Sequence, residues 1–238
     1  MTEQPNRIRS FVLRHGRMTA GQRRALDAGW PKCGLERSAG HLDPRISFGR
    51  KGPLVVEIGF GMGQSLVQMA VAEPETNFVG IEVHRPGVGR LLHNMSEQDV
   101  SNIRVYCDDA VAVLEECFAA ASIDGVQIYF PDPWHKKRHH KRRLIQPVFV
   151  ELLCERLRPG GFLHLATDWE NYAEHMMKVL SAAPGLINRA GAGQFAGRPS
   201  RRPLTKFEQR GQRLGHGVWD LLFERIEGGK SGVTVPPP

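Results

Sequence analysis

From residue 54 onward the chain alternates between two hydrophobic rhythms. Leu54-Val-Val-Glu-Ile58 is a short β-branched run ending at Gly59-Phe-Gly61-Met-Gly63, and Leu66, Val67, Met69, Ala70 and Val71 then give a helical apolar face. The pattern predicts strand, glycine turn, helix. It recurs, with strands predicted at 77–82, 103–107, 125–130 and 162–167 and helices at 86–97, 110–121, from 144 and at 172–180. In the helix from 144, Leu144, Ile145, Val148, Phe149, Leu152 and Leu153 share a face, so Pro147 must lie in the first turn, and Arg158-Pro-Gly-Gly161 stops the helix. Five rounds of strand then helix imply a parallel sheet with helices on both faces. Residues 218–226 read as a late strand added antiparallel at the sheet edge, whereas 185–203, rich in Gly, Arg and Pro, read as a flexible loop.

The ends lack these rhythms. Residues 1–50 carry Arg7, Arg9, Arg14, Arg17, Arg23, Arg24 and Arg37 with little sustained periodicity, and are read as a basic N-terminal arm or cap, partly ordered. Residues 51–227 form the main domain, and 228–238 have the composition of a disordered tail. At 41% hydrophobic residues the chain belongs with ordinary globular proteins, and its net charge of +7 favours an anionic partner such as nucleic acid. Cys33, Cys107, Cys117 and Cys154 are widely spaced, which argues against a zinc motif and a disulfide framework. No run has the length of a membrane span, so the protein is expected to be cytoplasmic with no membrane partner.

The glycine turn carries the first chemistry. Glycines after a first strand let a ligand approach the backbone, and the next helix offers unpaired N–H groups. The spacing here is G-x-G-x-G over Gly59, Gly61 and Gly63, not the dinucleotide pattern G-x-G-x-x-G. Glu57 at the mouth would repel a pyrophosphate, so a ligand with a cationic or uncharged group is preferred. Glu82, closing the second strand, is placed to accept bonds from ribose hydroxyls. Asp108 and Asp109 follow the third strand, where either can cap the next helix or Asp109 can accept from an adenine amino group. An adenosine with a positively charged substituent fits all of these, and S-adenosylmethionine is such a molecule.

The second chemistry lies in Phe130-Pro-Asp-Pro-Trp-His-Lys-Lys-Arg-His-His-Lys-Arg-Arg143. A carboxylate sits between two prolines beside an aromatic, followed by six cationic side chains and three histidines. A solvated charge run needs neither the prolines nor the tryptophan. His135, His139 and His140 lack a carboxylate or cysteine partner at ligand spacing, so no metal is expected.

Five blocks then fall into place: Glu57-Ile-Gly-Phe-Gly-Met-Gly63, Gly80-Ile-Glu-Val-His84, Phe130-Pro-Asp-Pro-Trp-His-Lys136, Ala166-Thr-Asp-Trp169 and Thr205-Lys-Phe-Glu208. Together, and in order, they resemble the bacterial tRNA (guanine-N7-)-methyltransferase family from about Arg9 to Arg225. The resemblance implies a Rossmann-like class I methyltransferase of α/β class, with a central, mostly parallel seven-stranded sheet, helices on both faces and an antiparallel edge strand. It implies transfer of a methyl group from S-adenosylmethionine to N7 of the variable-loop guanine (position 46) of tRNA, leaving S-adenosylhomocysteine. By motif, Glu57, Glu82, Asp109 and Asp132 correspond to cofactor-contacting positions, with Asp132 also catalytic. Lys136, Asp168, Thr205, Lys206, Phe207 and Glu208 correspond to substrate-holding positions, and Arg138, His139, His140, Lys141, Arg142 and Arg143 to an RNA-contacting segment.

Guanine N7 has a lone pair and no proton, so attack requires no base. Asp132 is accordingly expected to orient the guanine and stabilise its developing cation. Phosphate contacts are expected from 136–143, helped by the N-terminal arginines and by Arg198, Arg201 and Arg202. No obligate protein partner is implied, and the chain is expected as monomer or homodimer. The rival readings are an NAD-type dehydrogenase, a non-catalytic RNA-binding protein on a methyltransferase fold, and a methyltransferase acting on DNA, protein or a small molecule.

Overall fold

The computed structural model describes residues 10–12, 16–204, 208 and 217–227. Its elements begin with helix α1 (Ala20–Cys33), the two-residue strand β1 (Gly34–Leu35) and helix α2 (Pro44–Phe48). The alternation then runs β2 (Leu54–Ile58), α3 (Gln64–Ala72), β3 (Asn77–Ile81), α4 (Arg85–Glu97), β4 (Ile103–Tyr106), α5 (Ala110–Cys117) and β5 (Ile123–Tyr129). A 3₁₀ helix at Lys137–Arg142 is followed by α6 (Pro147–Arg156), β6 (Leu157–Thr167), α7 (Glu170–Ser181), β7 (Leu186–Asn188) and β8 (Trp219–Arg225).

The sheet has eight strands among the described residues, in the order β1-β4-β3-β2-β5-β6-β8-β7, one more than the seven expected. Strands β1 to β6 pair in parallel, and β8 runs antiparallel to both β6 and β7. Alternation along β2 explains the two cores. Leu54, Val56 and Ile58 join residues of α5, α6 and α7 on one face, whereas Val55 packs with Leu66, Val67, Val88 and Leu91 of α3 and α4 on the other. Glu57 shares the second face with Val55 and is buried.

Three segments differ from the sequence reading. Thr19 opens α1 with a capping box, its hydroxyl accepting from the Gln22 N–H while the Gln22 side chain accepts from the Thr19 N–H. Fourteen residues of the N-terminal arm are thus a helix packed on α4, continued into the sheet by β1. Pro147 is the first residue of α6, which leaves Leu144 and Ile145 outside the helix. Residues 185–203 are no free loop, because β7 pairs with β8, Arg201 pairs with Glu73, and Arg202 is 1% exposed. Residues 228–238 lie outside the described residues. Among the described residues no helix is long and apolar enough to cross a membrane.

Candidate active site

In an open parallel sheet the ligand crevice lies beyond the carboxyl ends of the strands. Here Glu57 near the end of β2, Glu82 after β3, Asp109 after β4 and Asp132 after β5 converge on that edge. Gly59, Gly61 and Gly63 have φ of 75°, 58° and 72°, the left-handed region that only glycine enters at little cost. This tight path brings the amino end of α3 to the crevice. Gly87 at the start of α4 completes it, since a Cβ there would lie 2.2 Å from the Gly61 carbonyl oxygen.

Two cavities flank the turn and share Gly59, Tyr129 and Phe130. One, of about 250 Å³, is lined by Glu82, Asp108, Asp109 and Asp132, with Ser10 and Phe11 on its rim. The other, of about 550 Å³, is lined by Glu57, Gly61, Gly63, Ser65 and Arg202. Glu82 is held rigidly: Oε2 accepts from the Gly61 N–H at 2.9 Å, and Oε1 accepts from the N–H groups of Val83 and His84 at 2.8 and 3.0 Å. Asp109 caps α5 through Oδ1, which accepts from Val111 N–H at 3.0 Å. Asp108 is committed elsewhere, to Arg37 at 2.9 Å and to the Asp109 N–H at 2.7 Å.

Glu57 is the unusual group. It is 3% exposed, and its Oε2 has no hydrogen-bond partner among the described residues. Burial, with the nearby Glu82 charge, pushes its carboxyl up to about 8. Ser65 Oγ, lining the same cavity, also lacks a partner among the described residues. A buried acid with one oxygen unpartnered among the described residues, beside an amino-terminal helix end, suits an occupant that carries both a cation and an anion. The amino-acid end of S-adenosylmethionine meets that requirement.

Asp132 sits on a strained turn. Phe130 and Trp134 on either side have φ of 52° and 48°, unusual for bulky residues and costing on the order of 1–3 kcal/mol each. The turn is held at both ends: Phe130 N–H donates to Ala166 O at 2.7 Å, and Arg143 Nε donates to Pro133 O at 2.9 Å. Asp132 itself is exposed at the cavity mouth. Trp134 is neither a core residue nor a free stacking plate. Its indole N–H donates to Ser10 O at 3.1 Å, and the Arg142 guanidinium lies 5.0 Å from its ring centroid.

The basic run divides. Lys136, Arg138 and Lys141 are exposed, and His139, His140 and Arg142 are half-buried on the same 3₁₀ segment. Arg143, expected to contact RNA, is only 3% exposed. Its guanidinium donates to Asn171 Oδ1 at 2.8 Å and lies 4.7 Å from the Tyr172 ring centroid, so it braces the Asp132 turn from inside. His139, ringed by Arg138, Arg142, Lys136 and Lys141, is shifted down by desolvation and by these charges, toward the neutral form.

Among the substrate positions, Asp168 follows β6 and is half-buried, but it lines neither cavity. It does not cap α7, whose cap residue Trp169 makes no side-chain cap bond. Thr205, Lys206 and Phe207 lie outside the described residues. Glu208 departs from expectation: it is 3% exposed, and its carboxylate accepts from Arg202 at 2.6 and 2.8 Å. Arg202 and Arg201 likewise have acidic partners within the protein: Arg202 also donates twice to Asp220, and Arg201 is paired with Glu73. Hydrophobic periodicity carried no signal for Arg202, Asp220, His164 or Tyr129, which form one hydrogen-bonded chain leading from the site into the interior.

Residues 51–221 match a protein family described as "Putative methyltransferase". The tRNA (guanine-N(7)-)-methyltransferase of Alcanivorax borkumensis is 64% identical over 219 residues, 92% of each chain. That of Pseudomonas aeruginosa is 59% identical over 220 residues, covering 92% of this chain and 90% of the relative. Among solved structures, the 16S rRNA methyltransferase KamB superposes with a TM-score of 0.57 at 13% identity, covering 78% of this chain and 94% of that one, a likeness of fold. The aminoglycoside-resistance methyltransferase NpmB1 gives 0.52 at 16%, covering 81% and 94%. A Rossmann-like sheet, a crevice ringed by carboxylates and identity of this extent over nearly the whole length lead to one placement: the chain belongs to the tRNA (guanine-N(7)-)-methyltransferase family.

Proposed function

We propose that this protein transfers a methyl group from S-adenosylmethionine to N7 of a guanine in tRNA. The observation that carries the reading is the convergence of Glu57, Glu82, Asp109 and Asp132 on one crevice beside the glycine turn. The relatives' names support the substrate.

S-adenosylmethionine, when bound, supplies an electrophilic methyl group on a sulfonium. Glu57 with the amino end of α3 would hold its amino-acid end, Glu82 its ribose, and Asp109 the amino group of its adenine. Asp132, exposed on a turn braced by Arg143, has its carboxylate available to a purine entering from solvent. It aligns the guanine and stabilises the positive charge that develops on the base, and takes no proton from N7. Lys136, Arg138 and Lys141, exposed beside this turn, grip backbone phosphates. Such contacts position RNA, while the pocket chooses the base.

The test is incubation with labelled S-adenosylmethionine and bulk tRNA, followed by digestion to nucleosides. Label is expected in 7-methylguanosine, and Asp132→Asn is expected to lower the single-turnover rate on the order of 100- to 1,000-fold. Label in another nucleoside, or a full rate in the variant, would overturn the reading.

A further inference from the structure

From the half-buried Tyr129 in the crevice wall a chain of polar side chains runs into the interior, with no place in the chemistry described above. Tyr129 OH lies 3.0 Å from His164 Nδ1, and His164 Nε2 lies 2.7 Å from Asp220 Oδ1. Asp220 then accepts from Arg202 Nε at 2.8 Å and from Nη2 at 2.9 Å, and the far side of the same guanidinium holds Glu208. Arg202, His164, Asp220 and Glu208 are all at most 3% exposed. Burial alone would lower the Arg202 pKa, but its bonds to Glu208 and Asp220 outweigh that and raise it, so the guanidinium stays charged.

Burying two carboxylates and a guanidinium is a poor way to gain stability, because well-packed apolar groups of similar volume often do as well. What such a network does give is one geometry, since a planar fork satisfied by two carboxylates leaves the segment that carries it a single seat. The mount is rigid: Asp220 lies on β8 opposite Ala166 of β6, and His164 lies on β6 opposite Gln127 of β5. The cargo is Arg202 with its near neighbour Leu204. Arg202 and Leu204 line the cavity beside Glu57, and the Arg202 guanidinium lies 5.6 Å from the ring centroid of Phe130, the strained residue that opens the Asp132 turn.

Resting on the methyl-transfer reading above, we propose that Arg202 is a positioning residue: anchored by Asp220 and His164, it locks the Arg202 and Leu204 side of the crevice against Phe130 and so sets the guanine's seat relative to Asp132. Glu208 then acts through Arg202, and not by touching the substrate.

The test uses the full chain carrying Arg202→Lys, Glu208→Gln, both together, or Asp220→Asn, with tRNA and S-adenosylmethionine saturating. Rates are expressed per molecule that binds S-adenosylhomocysteine, so misfolded protein drops out. Arg202→Lys keeps the charge but not the fork. It is expected to slow single turnover by on the order of 100-fold, the cost of a misplacement of about 1 Å, with a much smaller loss of S-adenosylhomocysteine affinity, since Arg202 also lines the Glu57 cavity. The double variant is expected to be no slower than the worse single, because both act on one contact. Asp220→Asn carries the same rate expectation from a residue outside the crevice, and decides the matter if Arg202→Lys does not fold. A parental rate per binding-competent molecule, additive losses in the double variant, or a loss of cofactor affinity equal to the loss of rate would each overturn the proposal. Failure of the parent protein to make 7-methylguanosine would instead count against the function itself.

Discussion

Glu57→Gln separates the stability of this protein from its ligand chemistry. The substitution keeps the shape of the side chain and removes its titration. In the unfolded chain the carboxyl titrates near 4.5, and in the folded protein burial and the Glu82 charge move it to about 8. Between those values the folded state holds a proton that the unfolded state has released. The contribution to stability is therefore fully present below about 4.5 and is lost as pH rises through about 8, by at most about 1.4 kcal/mol per pH unit. Across pH 5 to 8 that is about 3–4 kcal/mol, or roughly 6–16 °C in Tm for a domain of this size. Thermal denaturation of ligand-free protein is expected to give nearly equal Tm values for parent and variant at pH 5. The variant should gain steadily as pH rises to 8.

Binding should run the other way. If Glu57 meets the ammonium of the ligand as a carboxylate, calorimetry with S-adenosylhomocysteine in buffers of different ionisation enthalpy will detect proton release in the parent below pH 8 and none in the variant. The variant is expected to bind about 10- to 100-fold more weakly, the loss of one charge-assisted contact. A difference in Tm between parent and variant that does not change from pH 5 to 8 would refute the reasoning.

The basic run offers a contrast between neighbours. Arg138→Ala with Lys141→Ala is expected to flatten the log–log salt dependence of tRNA binding by about 1.4–1.8, leaving cofactor affinity unchanged, as measured by filter binding at several ionic strengths. Arg143→Ala, two residues beyond Lys141, is expected to leave that slope alone and to lower unfolding free energy by about 1.5–3 kcal/mol in denaturant titrations, because its bonds to Pro133 and Asn171 are internal. Gly87→Ala would place a methyl group 2.2 Å from the Gly61 carbonyl oxygen and displace the glycine turn. It should weaken S-adenosylhomocysteine binding by at least about tenfold, since backbone at such a contact cannot yield as a side chain can. Binding at parental strength would show that the turn is not the cofactor's seat.

Much of this architecture is written locally. The period-2 and period-3.6 runs between residues 54 and 180 specify strands and helices one at a time, and parallel pairing follows because each strand is succeeded by a helix. The same alternation carries Glu57, Glu82, Asp109 and Asp132 to the carboxyl edge together. The capping box of Thr19 and Gln22 was present in the sequence as a start signal for α1, although no strong apolar stripe accompanies it. Strand β1 had no signal, being two residues that exist as a strand only because β4 presents an unpaired edge.

The fate of individual charges was decided elsewhere. Arg142 and Arg143 are adjacent and chemically alike, yet one lies over an indole at the surface and the other is buried against Asn171 and Tyr172. Arg202 stands in a stretch that reads as a loop, and Asp220, 18 positions along the chain, together with Glu208 and His164, turns it inward. The sequence by itself determined the elements, their alternation and the edge at which acidic groups gather, because those depend on neighbours within a few residues. Only the tertiary structure decided which cations face RNA and which are internal braces, because a charge leaves water only where partners from distant segments arrive to receive it.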